Sequence, residues 1–290
     1  MLYKIIYLKK NCYNQIMKVI TIATQNERMI DVLKESVINN GLKLDVYGMG
    51  RSYKHYGTKF IYIYEALEGI DDEEIVLFMD GFDTILLADE EEILYKYNNR
   101  NRYLTYLEKD LIFANGNRLI KNPLVKKCLL DTNSGLFIGK CSKIKRLFGK
   151  IMVENDMEVE TSCDVILERY KNEFGIDDAN ILFYNYYFDG GVKSLFTDSR
   201  KKNELEVFNK RLYTGTNTKP IAIHFPKNSM NEDIISQLGY VYKIEKSEQG
   251  ISYLYKDYMN SYFKYTWKYI IILILIIIIF IVIFKKLIKK

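Results

Sequence analysis

The chain has 290 residues, of which 48% are hydrophobic and 27% charged, and it contains only three prolines. This composition is typical of a globular protein and excludes the collagen-like and low-complexity disordered classes. The formal net charge is +5, but four of the last six residues are lysines and the rest carries only +1, which argues against a nucleic-acid-binding protein with its concentrated basic face.

Alternating strand and helix patterns fill the first hundred residues. The predicted elements are a strand at 18–25, a helix at 28–40, a strand at 43–49, a helix with Phe60, Ile63, Tyr64 and Leu67 on one stripe, a strand at 73–80 and a helix at 89–98. This order predicts an α/β fold with a mostly parallel sheet covered by helices on both faces. Ligands of such sheets bind beyond the carboxyl ends of the strands, where Asp80 lies.

The pattern becomes mixed after residue 110. Strands are favoured at 111–115 and 135–140, helix over most of 142–187, and a late strand at 221–225. Because no repeat or Gly/Ser/Pro-rich linker divides residues 18–240, we assign them to one domain that follows an N-terminal extension at 1–17. A tyrosine-rich stem is predicted at 241–266.

Four cysteines, Cys12, Cys128, Cys141 and Cys163, are scattered without a Cys-x-x-Cys pair. This spacing does not support a zinc ribbon or a thioredoxin-type motif, and four cysteines are few for a disulfide framework in a chain of this size. We expect reduced thiols, buried as small hydrophobic groups.

The C-terminal region carries a long uncharged run, YIIILILIIIIFIVIF, at 269–284. As a helix these residues span roughly 24 Å, and the flanking apolar residues extend the run toward the roughly 30 Å of a bilayer core. We therefore predict a transmembrane helix at 267–288 with a basic tail to 290, in preference to a buried core element. The N-terminus has no apolar run of signal-peptide length, so we expect a single-pass tail anchor with a cytoplasmic body.

The sequence MDGFDTILL (79–87) places Asp80 and Asp83 on a tight turn directly after an apolar strand. Two carboxylates on such a turn suit a hard divalent cation, which could also bridge diphosphate oxygens. The alternative is a turn in which Asp80 is only a cap and Asp83 is exposed.

Two further segments carry titratable candidates. Asp177 and Asp178 precede an apolar stretch predicted as a helix at 180–188, where they serve either as helix caps or as a catalytic or acceptor-positioning carboxylate. His224 ends the strand at 221–225 and is either a core histidine or, near the Asp80 loop, a nitrogen ligand for Mn²⁺.

Two small-residue segments are candidates for donor binding. Asn133, Ser134 and Gly135 open NSGLFIG, where small residues allow close approach of backbone and ligand; the alternative is a bulge or turn. Tyr53 and Lys59 lie in the Gly-rich segment 47–59, where an aromatic ring could stack on a base and a lysine could meet phosphate.

In this order the motifs resemble the glycosyltransferase domain of procollagen lysyl hydroxylases and the related collagen galactosyltransferases, from about residue 18 to about residue 240. FMDGFDTILL resembles the family's acidic metal motif, and NSGLFIG resembles its Asn-Ser-Gly-Gly-Phe-Ile-Gly segment. DDANILFY is similar to its Asp-Asp-Gln-Leu-Phe-Tyr segment, although Ala179 replaces the glutamine and two extra residues precede LFY. IAIHFPKN is similar to the family's His-Gly-Asn-Gly segment.

The resemblance implies a GT-A fold, a UDP-sugar donor and Mn²⁺. By motif, the metal and diphosphate residues would be Asp80, Asp83 and His224; Tyr53 would replace a tryptophan that stacks on uracil; Lys59 would match a loop lysine; and Asp177 and Asp178 would match the acidic pair tied to catalysis.

We therefore interpret the chain as a membrane-anchored, Mn²⁺-dependent glycosyltransferase that uses UDP-glucose or UDP-galactose and a protein or glycan acceptor. The resembling family covers both stereochemical outcomes, so inversion and retention stay open. Two other classes also stay open: a catalytically inactive, membrane-tethered structural or interaction protein, suggested by Ala179 and Asn115, and a metal-dependent phosphohydrolase that uses the same aspartates.

Overall fold

The structure is a computed structural model that describes residues 16–100, 109–116, 132–158, 162–186, 205–226 and 230–243, all in the first of two units of the chain, Met1–Lys243. The strands are β1 Met17–Ile22, β2 Leu44–Tyr47, β3 Ile75–Met79, β4 Thr84–Leu86, β5 Leu111–Asn115, β6 Thr132–Lys140, β7 Gly175–Asp177, β8 Phe183–Asn185, β9 Glu206–Phe208, β10 Arg211–Tyr213 and β11 Ala222–His224. The helices are α1 Ile30–Asn39, α2 Gly57–Leu67, α3 Glu90–Asn98, α4 Cys141–Glu154, α5 Cys163–Glu168 and α6 Glu232–Gln237.

A six-stranded sheet with the order β2-β1-β3-β6-β5-β7 forms the centre of the fold. The β1–β2, β1–β3 and β5–β7 pairs are parallel, whereas β6 is antiparallel to both β3 and β5. Five of the six strands therefore share one direction, as the α/β pattern predicts, and β6 is the exception.

Both faces of this sheet are buried, which explains why β3 (IVLFM) is apolar at every position. Side chains alternate between two cores: Ile75, Leu77 and Met79 face one, and Val76 and Phe78 face the other. Helices α1 and α3 cover the first core, and α2, α4 and α5 cover the second. On the second face Phe78 stacks on Phe137 of β6, with ring centroids 4.7 Å apart.

A smaller sheet with the order β4-β11-β8 adjoins the carboxyl end of β3. Strand β11 pairs antiparallel with β4 and parallel with β8, so His224 is in register with Thr84 on one side and Asn185 on the other. This sheet brings β11 beside the turn that follows β3. Strands β9 and β10 form a separate antiparallel pair.

The segment after Asp177 differs from its sequence prediction, because a strand, β8, replaces the expected helix at 180–188 in the part that the structure describes. Asn180 adopts a left-handed backbone conformation with φ 54°, which turns the chain out of β7. Pairing of β8 with β11 then satisfies its backbone, and tertiary hydrogen bonding overrides the apolar periodicity. The prediction of helix over most of 142–187 is therefore wrong for its last third.

Several predictions concern residues that the structure does not describe. The transmembrane helix at 267–288 lies outside the described residues, as do most of the stem and of the N-terminal extension. None of the described helices has the length and apolar character that crossing a bilayer requires. Cys141 and Cys163 are buried free thiols, as expected, whereas Cys12 and Cys128 lie outside the described residues.

Candidate active site

The turn between β3 and β4 carries both candidate aspartates. The Asp80 amide donates to the carbonyl of Gly135 at 2.8 Å, which ties the turn to β6. The Thr84 hydroxyl donates to the carbonyl of Asp80 at 2.6 Å and closes the turn. These two hydrogen bonds hold the turn of Asp80 and Asp83 at the carboxyl end of β3.

His224 completes a three-residue cluster with the two aspartates. Its side chain is only 3% exposed, and its Nε2 lies 3.3 Å from Oδ1 of Asp83 and 3.9 Å from Oδ2 of Asp80. One ligand atom from each residue fits within 4.8 Å of the others. The structure thus brings together the three residues that the sequence predicted as a metal set.

The chemistry of this cluster fits a divalent cation. Asp83 Oδ1 is buried without a well-formed hydrogen bond from the described residues, and a bound cation would compensate the cost of burying this oxygen. Two carboxylates and one imidazole form the mixed oxygen and nitrogen ligand set that suits Mn²⁺ and related metals. Asp80 keeps 30% of its side chain exposed, so the cluster opens to a ligand.

Lys59 of α2 is a buried cation beside this cluster, with an 11% exposed side chain. Its Nζ lies 2.6 Å from Oδ1 of Asp80 and donates to the carbonyl of Ser134 at 3.0 Å. Burial alone would lower the pKa of Lys59, but its neighbours, with the charge of Asp80 first among them, together outweigh burial, and the pKa lies above its ordinary value. Lys59 therefore supplies a fixed positive charge beside the candidate metal site.

The titration of the three cluster residues follows from their mutual charges. Burial raises the pKa of the Asp80 carboxyl, which stays high despite Lys59. Burial would also raise the pKa of Asp83, but the charge of His224 lowers it below the usual range. For His224, burial acts to lower the pKa, and the charge of Asp83 raises it above its ordinary value. Asp83 and His224 thus shift each other's pKa in opposite directions, as two close groups of opposite charge do.

Tyr53 precedes helix α2, which carries Lys59. It is 46% exposed and lies within electrostatic range of Lys59 and Asp80. A half-exposed ring near the lysine and the acidic turn is available to stack on a planar ligand group. Stacking of Tyr53 on a nucleotide base stays a prediction.

The Asn133–Ser134–Gly135 segment holds the site together through its own hydrogen bonds. Asn133 Oδ1 accepts the Gly135 amide at 2.9 Å, and the Ser134 amide donates to Oδ1 of Asp164 at 2.8 Å. A Cβ at Gly135 would lie within 2.8 Å of Nε2 of His224, so this glycine is needed to make room for the imidazole. The small residues thus accommodate a side chain of the protein, and the donor-binding role of the segment stays a prediction.

Asp177 and Asp178 have different surroundings. The Asp177 carboxylate is fully buried and accepts the backbone amides of Ile181, Leu182 and Phe183 at 2.7–3.0 Å. Burial raises its pKa to about 6, although these amide donors oppose the shift. Its contacts are those of a residue that holds the turn between β7 and β8. Asp178 is exposed and follows β7 directly, and a catalytic role of either residue stays a prediction.

Sequence reasoning missed Asn185, which contacts His224 directly. Its Oδ1 lies 2.8 Å from Nδ1 of the imidazole, and its Nδ2 donates to the carbonyl of Asn115. The residue immediately follows the LFY motif, but its link to His224 depends on the pairing of β8 with β11. The sequence feature that could have indicated Asn185 is its position as a polar residue directly after the apolar LFY segment.

Comparisons with known proteins identify the family of this chain. The family model described as PLOD GT domain matches residues 13–250. The chain is 23% identical over 227 residues to a multifunctional procollagen lysine hydroxylase and glycosyltransferase of Caenorhabditis elegans, an alignment that covers 71% of this chain and 30% of the relative. It is 27% identical over 139 residues to procollagen-lysine,2-oxoglutarate 5-dioxygenase 2 of Mus musculus, covering 44% of this chain and 19% of the relative.

The chain thus spans less than a third of the length of these curated relatives. Among solved structures, the glycosyltransferase GlyE of Streptococcus pneumoniae aligns with a TM-score of 0.40 at 14% identity, covering 83% of this chain and 54% of that one.

Proposed function

The chain belongs to the PLOD GT domain family of glycosyltransferases, and from this premise we propose that it transfers glucose or galactose from a UDP-sugar to a hydroxyl acceptor with the help of Mn²⁺. The observation that carries the proposal is the convergence of Asp80, Asp83 and His224 beside the buried cation of Lys59. These groups suit a metal-bound diphosphate, whose negative charge grows as the sugar bond breaks.

Asp80, Asp83 and His224 would hold the metal, because they offer oxygen and nitrogen ligands within one metal-sized cluster. When bound, such an ion supplies positive charge that stabilises the departing diphosphate. Lys59 adds a second, fixed positive charge on the Asp80 side of the cluster. Because Lys59 is buried against Asp80 and the Ser134 carbonyl, its charge needs no reorganisation during the reaction.

Tyr53 is assigned to the nucleotide end of the donor. Its half-exposed ring lies within range of Lys59, so a base stacked on it would leave the diphosphate near the lysine and the metal cluster. Stacking and charge together would hold the donor in one orientation. A fixed orientation speeds sugar transfer, because the reacting atoms are already aligned before the reaction.

The acceptor end is assigned to the surroundings of Asp178. This carboxylate is exposed at the end of β7, and in an inverting reaction it would take the proton of the acceptor hydroxyl as general base. A retaining reaction has no such step. The buried Asp177 would then hold the turn that carries Asp178, through its three backbone amide contacts.

Two extensions go beyond the site itself. The names of both curated relatives refer to procollagen lysine, so we assign the acceptor to hydroxyl groups of collagen-like protein. The uncharged run at 269–284 supports a membrane anchor at 267–288, which would place the catalytic domain at a bilayer surface.

Release of UDP by the full chain tests the proposal. UDP-glucose and UDP-galactose are supplied in parallel, with and without Mn²⁺, and calorimetry measures UDP binding under the same conditions. Metal-dependent release from one donor is expected. Absence of release together with absence of metal-dependent UDP binding would overturn the proposal and favour a catalytically inactive binding protein. Turnover of simple phosphate esters without a sugar would instead indicate a phosphohydrolase.

A further inference from the structure

His224 and Asn185 form a buried pair behind the candidate metal cluster. The two residues are register neighbours on β11 and β8 and are 3% and 5% exposed. Nδ1 of His224 lies 2.8 Å from Oδ1 of Asn185, on the side of the ring away from Asp83. The Tyr186 amide also donates to the His224 carbonyl at 2.8 Å, so the pair is fixed through both side chains and backbone.

The hydrogen bonds determine which ring nitrogen carries a proton. The carbonyl of Asn115 can only accept, so the Asn185 amide group must present its NH₂ to that carbonyl. Oδ1 of Asn185 then faces His224, and because this oxygen can only accept, Nδ1 must be the donor. In the neutral ring, Nε2 is left with its lone pair directed toward Asp83 and Asp80.

We propose that Asn185 is a positioning residue that holds His224 as the Nδ1–H tautomer and so presents Nε2 as a ligand to a divalent cation at Asp80 and Asp83. The inference rests on the proposed metal-dependent function and deepens it. Asn185 acts through the histidine, because its side-chain hydrogen bonds in the described structure are with Nδ1 of His224 and with the carbonyl of Asn115.

A neutral imidazole without a hydrogen-bond partner can carry its proton on either Nδ1 or Nε2. Without an acceptor at Nδ1, the proton is free to move to Nε2, and a protonated Nε2 cannot bind a metal. Loss of such a supporting hydrogen bond typically weakens metal binding about 10- to 100-fold. Gly135 limits the remaining freedom, because the ring lies against its backbone.

Asn185→Ala, Asn185→Asp and the control Ser36→Ala test the inference in the full chain. Asn185→Asp keeps an acceptor for Nδ1 but loses the donor to the Asn115 carbonyl. Ser36 is also fully buried; its hydroxyl donates to the Leu33 carbonyl and accepts the Leu86 amide. Its loss would thus disturb a buried polar contact elsewhere in the fold.

The first readout is the ring tautomer, from long-range ¹H–¹⁵N correlation spectra at alkaline pH, above the titration of the ring. The chain has only two histidines, so His55 serves as an internal reference. We expect the Nδ1–H pattern for His224 in the wild type, Asn185→Asp and Ser36→Ala, and a mixed or Nε2–H pattern in Asn185→Ala. An unchanged Nδ1–H pattern in Asn185→Ala would overturn the inference.

The second readout is the affinity for Mn²⁺ alone, measured by its electron paramagnetic resonance signal. We expect Asn185→Ala to bind Mn²⁺ about 10- to 100-fold more weakly than the wild type, with Asn185→Asp close to wild type. Equal losses in Asn185→Ala and Asn185→Asp would show a merely structural role and overturn the inference. If the wild type binds no Mn²⁺, the proposed function fails, whereas the tautomer spectra still decide the role of Asn185.

Discussion

The imidazole of His224 occupies the space that a side chain at position 135 would need. A Cβ built on Gly135 would lie 2.6 Å from Nδ1 and 2.8 Å from Nε2, distances at which the ring must move. The ring is fully packed between this glycine, Asn185 and the acidic turn, so movement would take Nε2 away from Asp83. The His224 ring can therefore occupy this position only because residue 135 is a glycine.

We therefore predict that Gly135→Ala weakens Mn²⁺ binding at least 10-fold and lowers the melting temperature of the full chain. Gly69→Ala is the matched control, because a Cβ there meets no atom within 4 Å. Calorimetric Mn²⁺ titration and thermal melting measure both effects. Wild-type metal affinity in Gly135→Ala would show that the ring position does not matter for metal binding.

Tyr53 gives a prediction about the donor nucleotide. If its ring stacks on the base, Tyr53→Ala weakens UDP binding by about 1–3 kcal/mol, the usual value of one aromatic–base contact. Tyr95→Ala removes a ring of similar exposure, 44% against 46%, from α3 on the opposite face of the sheet. Calorimetry with UDP and Mn²⁺ compares the two variants, and equal affinities would remove Tyr53 from the nucleotide site.

The buried Asp177 carboxyl should make the free energy of unfolding depend on pH. Its pKa rises from 3.8 to about 6 on folding because the carboxyl is buried, so the folded chain binds this proton more tightly than the unfolded chain. Its favourable contribution is therefore present at low pH and is lost as the pH rises through about 6.

Urea unfolding of the wild type and Asp177→Asn at pH 4 and pH 7 measures this contribution. The difference in unfolding free energy between the two proteins should be more favourable to the wild type at pH 4 than at pH 7. A difference that grows toward pH 7 would mean that the three backbone amides, and not burial, dominate the pKa of Asp177.

The uncharged run at 269–284 should anchor the full chain in a membrane. We expect the full chain to resist carbonate extraction from membranes, because residues 269–284 contain no charge. Ile276→Lys combined with Ile278→Lys places two charges in the middle of the run, each costing about 2.5–3.5 kcal/mol at a helix centre. This double variant should be extracted, and extraction of the wild type as well would contradict the anchor.

The sequence predicts the first half of the fold well, for physical reasons. Apolar periodicity identifies β1, β2, β3 and the helices α1 to α3, because their core-facing side chains repeat at strand or helix spacing, whereas the short strand β4 was not predicted. The acidic turn of Asp80 and Asp83 is also local in sequence. Its meeting with His224 was expected from the order of motifs in a known family, and the structure places the three residues together.

The remaining features depend on long-range pairing, which local patterns do not encode. The antiparallel direction of β6 is set by its neighbours in the sheet, and β8 forms because β11 offers backbone partners. The roles of Gly135 and Asn185 are visible only once β6, β8 and β11 meet around the His224 ring. A small residue and a buried amide have no distinctive spacing in the sequence.

Mn²⁺ binding by the full chain, measured by electron paramagnetic resonance in the wild type and in Asp83→Asn, tests whether the acidic turn holds a metal. Asp72→Asn is the control, because Asp72 precedes the opposite end of β3 and pairs with Lys145 at 2.8 Å. We expect one metal site in the wild type and in Asp72→Asn, and loss of that site in Asp83→Asn without a lower melting temperature. Equal Mn²⁺ binding by all three proteins would contradict the assignment of Asp80, Asp83 and His224 as the metal site.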